Sequence, residues 1–174
     1  MLTVVDPIDV VLPPGGWFVG DDSCRIRTLL GSCVSITLWH PATCRGAMSH
    51  FLLPTRGGTS RVDGLDELDG RYGDEALQLI LHELRAAGVP PVQCQAKIFG
   101  GGNMFPGLVS PGSPMVGRRN GEAARALLQA GGITVVSESL FGIGHRQILF
   151  ELATGDVWSH QVAHDAWQGR EDAA

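Results

Sequence analysis

No apolar run in this chain approaches the roughly 20 residues that cross a bilayer as a helix, so membrane insertion is not expected. Basic residues are scarce. Lys and Arg total 13 against 18 Asp and Glu, giving a net charge of −5, and the longest basic run is the pair Arg118-Arg119. A nucleic-acid surface needs clustered positive charge, so that class of partner is excluded. Cysteine is sparse too. Cys24, Cys33, Cys44 and Cys94 form no C-x-x-C pair and are too thinly spread for a disulfide scaffold. They read as free thiols of a reducing cytoplasm. Met1-Leu2-Thr3-Val4-Val5-Asp6 lacks the basic and apolar regions of a signal peptide. Charged residues make up only 18%, but 44% are hydrophobic, so the composition is globular rather than disordered.

Glycine, by contrast, is abundant at 24 of 174 residues, which implies many tight turns and strand ends. The length suits one domain with a real core. No internal repeat or linker divides it. The expected organisation is one domain over residues 1–174, with a loose leader at 1–9 and a loose tail at 162–174.

Strands dominate the pattern. Val10-Val11-Leu12 precedes the stiff turn Pro13-Pro14-Gly15-Gly16, and Trp17-Phe18-Val19 reads as an edge strand. Cys24 to Leu29 is a strand leading into a Gly31-Ser32 bend. Val34 to Trp39 alternates and is β-branched, and Gly46 to Leu53 follows after the turn-like His40-Pro41-Ala42-Thr43. Further strands are expected at Gln95–Phe99, Ile133–Leu140, His145–Leu152 and Val157–Ser159. Tyr72 to Ala87 is the clearest helix: Ala76, Leu77, Ile80, Leu81 and Leu84 share one face, and Gly88 stops it. A second helix is expected over Ala123–Ala130, opened by Asn120-Gly121-Glu122. Together these give an α+β domain with a layered, mostly antiparallel β-sheet core and flanking helices.

The chemistry-bearing stretch is Thr28-Leu29-Leu30-Gly31-Ser32-Cys33-Val34. Cys33 stands where one strand begins, and His50 stands towards the end of the next. A hairpin can bring the two together. A thiol beside an imidazole is the minimal apparatus of a cysteine nucleophile. The plainer reading makes Cys33 a small core residue and His50 a hydrogen-bonded structural histidine. Gly100-Gly101-Gly102-Asn103 is not a dinucleotide fingerprint, because its spacing is wrong. It is either a sharp turn or a backbone that must approach something closely. The acidic residues Asp63, Asp66, Glu67 and Asp69 lie in a polar stretch, Gly57 to Gly73, read as a mobile surface loop. Their spacing is not that of a calcium loop, so a solvated loop is the reading preferred over a cation site.

Five segments together resemble the chemoreceptor glutamine deamidase family, CheD. They are Thr28 to Val34, Gly46-Ala47-Met48-Ser49-His50-Phe51-Leu52-Leu53-Pro54, Lys97-Ile98-Phe99-Gly100-Gly101-Gly102-Asn103-Met104-Phe105, Gly117-Arg118-Arg119-Asn120-Gly121 and Gly142-Ile143-Gly144-His145-Arg146. The likeness runs from about Val10 to about Trp158.

The resemblance implies a three-layer fold, Cys33 as nucleophile, His50 as base and Thr28 as the residue that orients the imidazole. Read without it, Thr28 is simply a β-branched strand residue. The Gly-rich turn would lie near the catalytic centre. His145 separates Gly144 from Arg146 where the family more often has Gly and Arg adjacent, so neither His145 nor Arg146 is assigned a catalytic role. The implied activity is protein-glutamine glutaminase: hydrolysis of glutamine amides on the cytoplasmic helices of methyl-accepting chemotaxis receptors, in the cytoplasm, with no cofactor or metal. Hydrolysis of receptor glutamyl methyl esters is credited to some members. A CheC-type phosphatase is the implied regulatory partner. Two other readings are a non-catalytic adaptor that binds receptor or phosphatase, with Cys33 structural, and a different cysteine hydrolase.

Overall fold

A computed structural model describes residues 6–57, 63–107 and 115–162. Among these residues nine strands and two α-helices run in the order β1 (Ile8–Val11), β2 (Trp17–Gly20), β3 (Cys24–Leu30), β4 (Val34–His40), β5 (Arg45–Ser49), α1 (Gly73–Ala86), β6 (Gln95–Gly100), α2 (Val116–Ala130), β7 (Thr134–Leu140), β8 (His145–Glu151) and β9 (Val157–Val162). They build a four-stranded sheet, β1-β3-β8-β9, and a five-stranded sheet, β2-β5-β4-β6-β7. Among these strands the pairings β1–β3 and β6–β7 are parallel and the others antiparallel. The α+β class and mostly antiparallel layering are therefore as expected.

Side-chain alternation explains the layers. On β4, Val34, Ile36 and Leu38 point one way, into a cluster with Ala76, Leu77, Ile80 and Leu84 of α1 and Ala124 and Leu128 of α2. The neighbouring strands send Met48 and Phe99 the other way, against Ile26, Leu30, Ile148 and Phe150 of the four-stranded sheet. The order is helices, five-stranded sheet, four-stranded sheet. β4 is the central strand of the middle layer and is buried on both faces. Each fully buried aliphatic or aromatic side chain contributes about 1.5–3 kcal/mol by leaving water, and two separate clusters clamp the middle sheet.

Several boundaries differ from the sequence reading. Ile8 and Asp9, expected in the loose leader 1–9, belong to β1 and pair with Cys24 and Arg25. Asp9 also meets the Arg27 guanidinium at 2.9 Å and that of Arg25 at 3.5 Å. β5 ends at Ser49 rather than Leu53, because the backbone of the Pro-Gly turn takes over: Gly15 N–H donates to His50 O at 2.8 Å and His50 N–H to Gly16 O at 2.9 Å. α2 begins at Val116, well before Asn120. Glycine weakens a helix by about 1 kcal/mol relative to Ala, which hid the first turn, but Gly117 packs directly on the Gly101 backbone. In the acidic stretch, Leu65–Glu67 form a 3₁₀ turn. Arg71 binds the Asp69 carboxylate and Arg56 that of Glu75, while Asp69 N–H donates to Glu75. Of the residues expected in that loop, 58–62 lie outside the described ones, as do 163–174 of the expected tail. Val162 itself closes β9. No helix among the described residues is long and apolar enough to cross a membrane.

Candidate active site

The register of the β4–β5 hairpin decides where Cys33 and His50 stand. Val34 and Phe51 form an antiparallel pair with mutual hydrogen bonds, Val34 N–H to Phe51 O at 3.1 Å and Phe51 N–H to Val34 O at 2.9 Å. The ladder from Thr37 and Met48 keeps the same register. His50 is therefore opposite Ser35, and Leu52 is opposite Cys33. Residues opposite each other share a face, so Cys33, Ser35 and His50 all face the four-stranded sheet. Cys33 and His50 are diagonal neighbours, a relation that spans about 7–8 Å between backbones and lies within reach of long side chains. Cys33 is half-buried and His50 is 2% exposed.

Thr28 comes from the other sheet. Along β3, residues alternate between buried and solvent-facing, and Thr28 is on the buried side. Its Oγ1 lies 2.8 Å from His50 Nδ1 and donates to Leu12 O, also at 2.8 Å. A hydroxyl has one hydrogen. If it goes to the Leu12 carbonyl, Thr28 must accept from Nδ1–H of His50. This network assigns the imidazole tautomer: Nδ1 carries the proton and Nε2 keeps its lone pair.

Burial lowers the His50 pKa to about 4, with a nearby Leu12 carbonyl opposing the shift. Burial raises the Cys33 thiol, while its own backbone N–H works in the opposite direction. Burial thus acts on both groups in the same sense, favouring the neutral thiol and the neutral imidazole. Such a pair activates sulfur by passing its proton to Nε2 as the nucleophile attacks.

The bend before Cys33 is held by its carbonyls. Gly102 N–H donates to Gly31 O at 2.8 Å and Gly101 N–H to Cys33 O at 2.9 Å. A Cβ at Gly100, whose φ is +114°, would sit 2.2 Å from Cys33 O. Of the two readings of the glycine triplet, the close approach is the one found: the turn lies flat against the cysteine loop. The Met104 side chain covers Gly31.

Sequence reading missed Asn120 as a site residue, treating it as the opening of a helix. It is fully buried, and its Nδ2 donates to Ser32 O at 3.0 Å and Leu52 O at 2.7 Å. The available signal was an uncharged polar residue among glycines on what proves to be the inner face of α2. Arg146 is also buried, but its guanidinium donates to Ser139 and to the Phe141 carbonyl, so it ties β8 to the end of β7. His145 pairs with Val162 at the start of β8.

Comparison with known proteins identifies the family. The family model described as CheD chemotactic sensory transduction matches residues 52–161. A protein of Albidiferax ferrireducens named "Probable chemoreceptor glutamine deamidase CheD 2" is 65% identical over 156 residues, covering 90% of this chain and 88% of that one. A Chromobacterium violaceum protein named "Probable chemoreceptor glutamine deamidase CheD 1" is 44% identical over 87% of this chain and 77% of its own. One from Pseudomonas syringae pv. syringae, "Probable chemoreceptor glutamine deamidase CheD", is 39% identical over 100% of this chain and 94% of its own. With a family model spanning more than half of its length and relatives this similar over nearly all of it, the chain belongs to the CheD family.

Proposed function

We propose that this protein is a chemoreceptor glutamine deamidase, acting as one domain in the cytoplasm through Cys33, His50 and Thr28. The observation that carries the mechanism is the 2.8 Å hydrogen bond that His50 Nδ1–H donates to Thr28 Oγ1, together with the one that Thr28 Oγ1 donates to Leu12 O. With Nδ1–H held by Thr28, Nε2 is the nitrogen left with a lone pair to take the proton from Cys33. The names of the similar proteins supply the reaction and the substrate class.

In the reaction, Cys33 Sγ attacks the carboxamide carbon of a substrate glutamine as its proton passes to His50 Nε2. The C–S bond forms and the carbonyl oxygen takes up negative charge. Backbone N–H groups at the Gly31-Ser32-Cys33 bend face that charge. The C–N bond then breaks, and the leaving nitrogen departs as ammonia with the proton from His50. Water, deprotonated by His50, adds to the thioester. The C–S bond breaks, the thiol is restored, and glutamate remains. Each turnover exchanges a neutral amide for a carboxylate on the receptor. The substrates are the cytoplasmic helices of methyl-accepting chemotaxis receptors, and a CheC-type phosphatase is the regulatory partner.

The test is mass spectrometry of a receptor cytoplasmic fragment after incubation with the protein. Wild type should convert specific glutamines to glutamates, and Cys33→Ser should convert none. Undiminished conversion by Cys33→Ser would overturn the mechanism. Receptor binding without any conversion by the wild-type protein would favour the adaptor reading.

A further inference from the structure

Asn120 is fully buried, and the mechanism above makes no use of it. Its amide orientation is fixed by its partners. Both Ser32 O and Leu52 O are acceptors, so only Nδ2 can face them, and a flipped amide would set oxygen against two oxygens. These two carbonyls sit where the β4–β5 ladder stops. Val34 and Phe51 are the last pair. One step beyond, Leu52 is opposite Cys33, and the strands part. The Asn120 amide spans that gap, replacing the ladder bonds the strands no longer make.

The consequence follows from peptide planarity. Ser32 C=O and Cys33 N–H belong to one trans peptide unit and point in opposite directions. Holding the carbonyl therefore aims the N–H. We infer that Asn120 is a positioning residue for the reaction: by gripping Ser32 O and Leu52 O it fixes the plane of the Ser32–Cys33 peptide, and so points Cys33 N–H at the oxygen that becomes negative when sulfur attacks. α2 thus sets the oxyanion donor as well as covering the sheet. This inference rests on Cys33 being the nucleophile.

The variants Asn120→Ala and Asn120→Leu remove both donated bonds without adding charge, and Leu nearly preserves the volume. In folded protein, checked by circular dichroism, kcat for deamidation should fall about 10–10²-fold, short of the 10²–10³-fold that outright loss of an oxyanion donor costs. KM should stay within about twofold, because the aimed N–H acts on the transition state rather than on substrate binding. The pH at which Cys33 becomes reactive to iodoacetamide should rise, since the same N–H faces the thiolate; a merely structural asparagine would leave that midpoint unchanged.

A third measurement needs no variant, so failure of both variants to fold leaves the inference testable. In ¹⁵N NMR of the wild-type protein, the Asn120 side-chain amide should shift with the same midpoint as the Cys33 thiol, because the thiolate polarises the peptide unit that Asn120 holds. A folded variant with wild-type kcat and an unmoved alkylation midpoint would overturn the inference, as would an Asn120 resonance indifferent to the thiol. Neither alkylation nor NMR requires turnover. A protein that shows both effects but deamidates nothing therefore refutes the deamidase reading and leaves the clamp standing.

Discussion

His50 carries two separable consequences of its surroundings. With His50 as the proposed general base, its loss should cost what a positioned acid–base group contributes, so His50→Ala should lower deamidation about 10²–10⁴-fold, with receptor binding little changed. A folded His50→Ala protein of full activity would remove the dyad. The second consequence concerns stability. In the unfolded chain the imidazole returns to its ordinary pKa of 6.5, while in the folded protein it lies at about 4. Between those values the unfolded state binds the extra proton, so folding stability falls as pH is lowered through this window and is fully present above it. Thermal melting from neutral pH down to about 4 should show this slope, and His50→Gln should flatten it. The sequence named Cys33 and His50 by their chemistry and by the hairpin between them. It could not reveal the tautomer, because that is set by Thr28 and the Leu12 carbonyl. A backbone carbonyl has no side-chain signature.

At the scale of elements, the Gly-rich turn after β6 and the bend before β4 form one unit. The test is Gly100→Ala. Its backbone has φ +114°, and the new Cβ would stand 2.2 Å from Cys33 O. A non-glycine residue held in such a region costs of order 1–3 kcal/mol by itself, and the Cys33 carbonyl must also move. Gly100→Ala should therefore lose most deamidation while retaining its far-ultraviolet spectrum. Full activity would show that the cysteine loop tolerates displacement. The hairpin β4–β5 and helix α1 were legible in sequence because their signals are local: alternation with period two, and apolar residues at helical spacing. The first turn of α2 was not. Gly117 carries no helix signal, and its fit against the Gly101 backbone explains it. The true extent of β1 was hidden for the same kind of reason, since its parallel partner β3 lies elsewhere in the chain.

For the whole molecule, the middle sheet is clamped between helices and a second sheet, and α2 serves both clamp and site. Leu128 of α2 is fully buried in the helix-side cluster, whereas Asn120 reaches the cysteine loop. Leu128→Ala should cost about 2–5 kcal/mol of stability, seen as a lower melting temperature, while deamidation per folded molecule at low temperature stays near wild type. Loss of activity in fully folded Leu128→Ala would mean that core packing tunes the site directly. The sequence by itself determined the fold class, most strand positions and the first helix, because composition and periodicity are properties of neighbouring residues; it offered Cys33 and His50 as a candidate nucleophile and base, and the family resemblance chose that reading over the structural one. Thr28 entered as an orienting residue only through family resemblance; its own residue type says no more than strand. Tertiary structure decided the rest: Thr28 beside His50 from the opposite sheet, the glycine triplet against the Cys33 carbonyl, and Asn120 across the parted ends of β4 and β5. These contacts join residues distant in the chain, and most end on backbone carbonyls, which every residue possesses and no sequence pattern distinguishes.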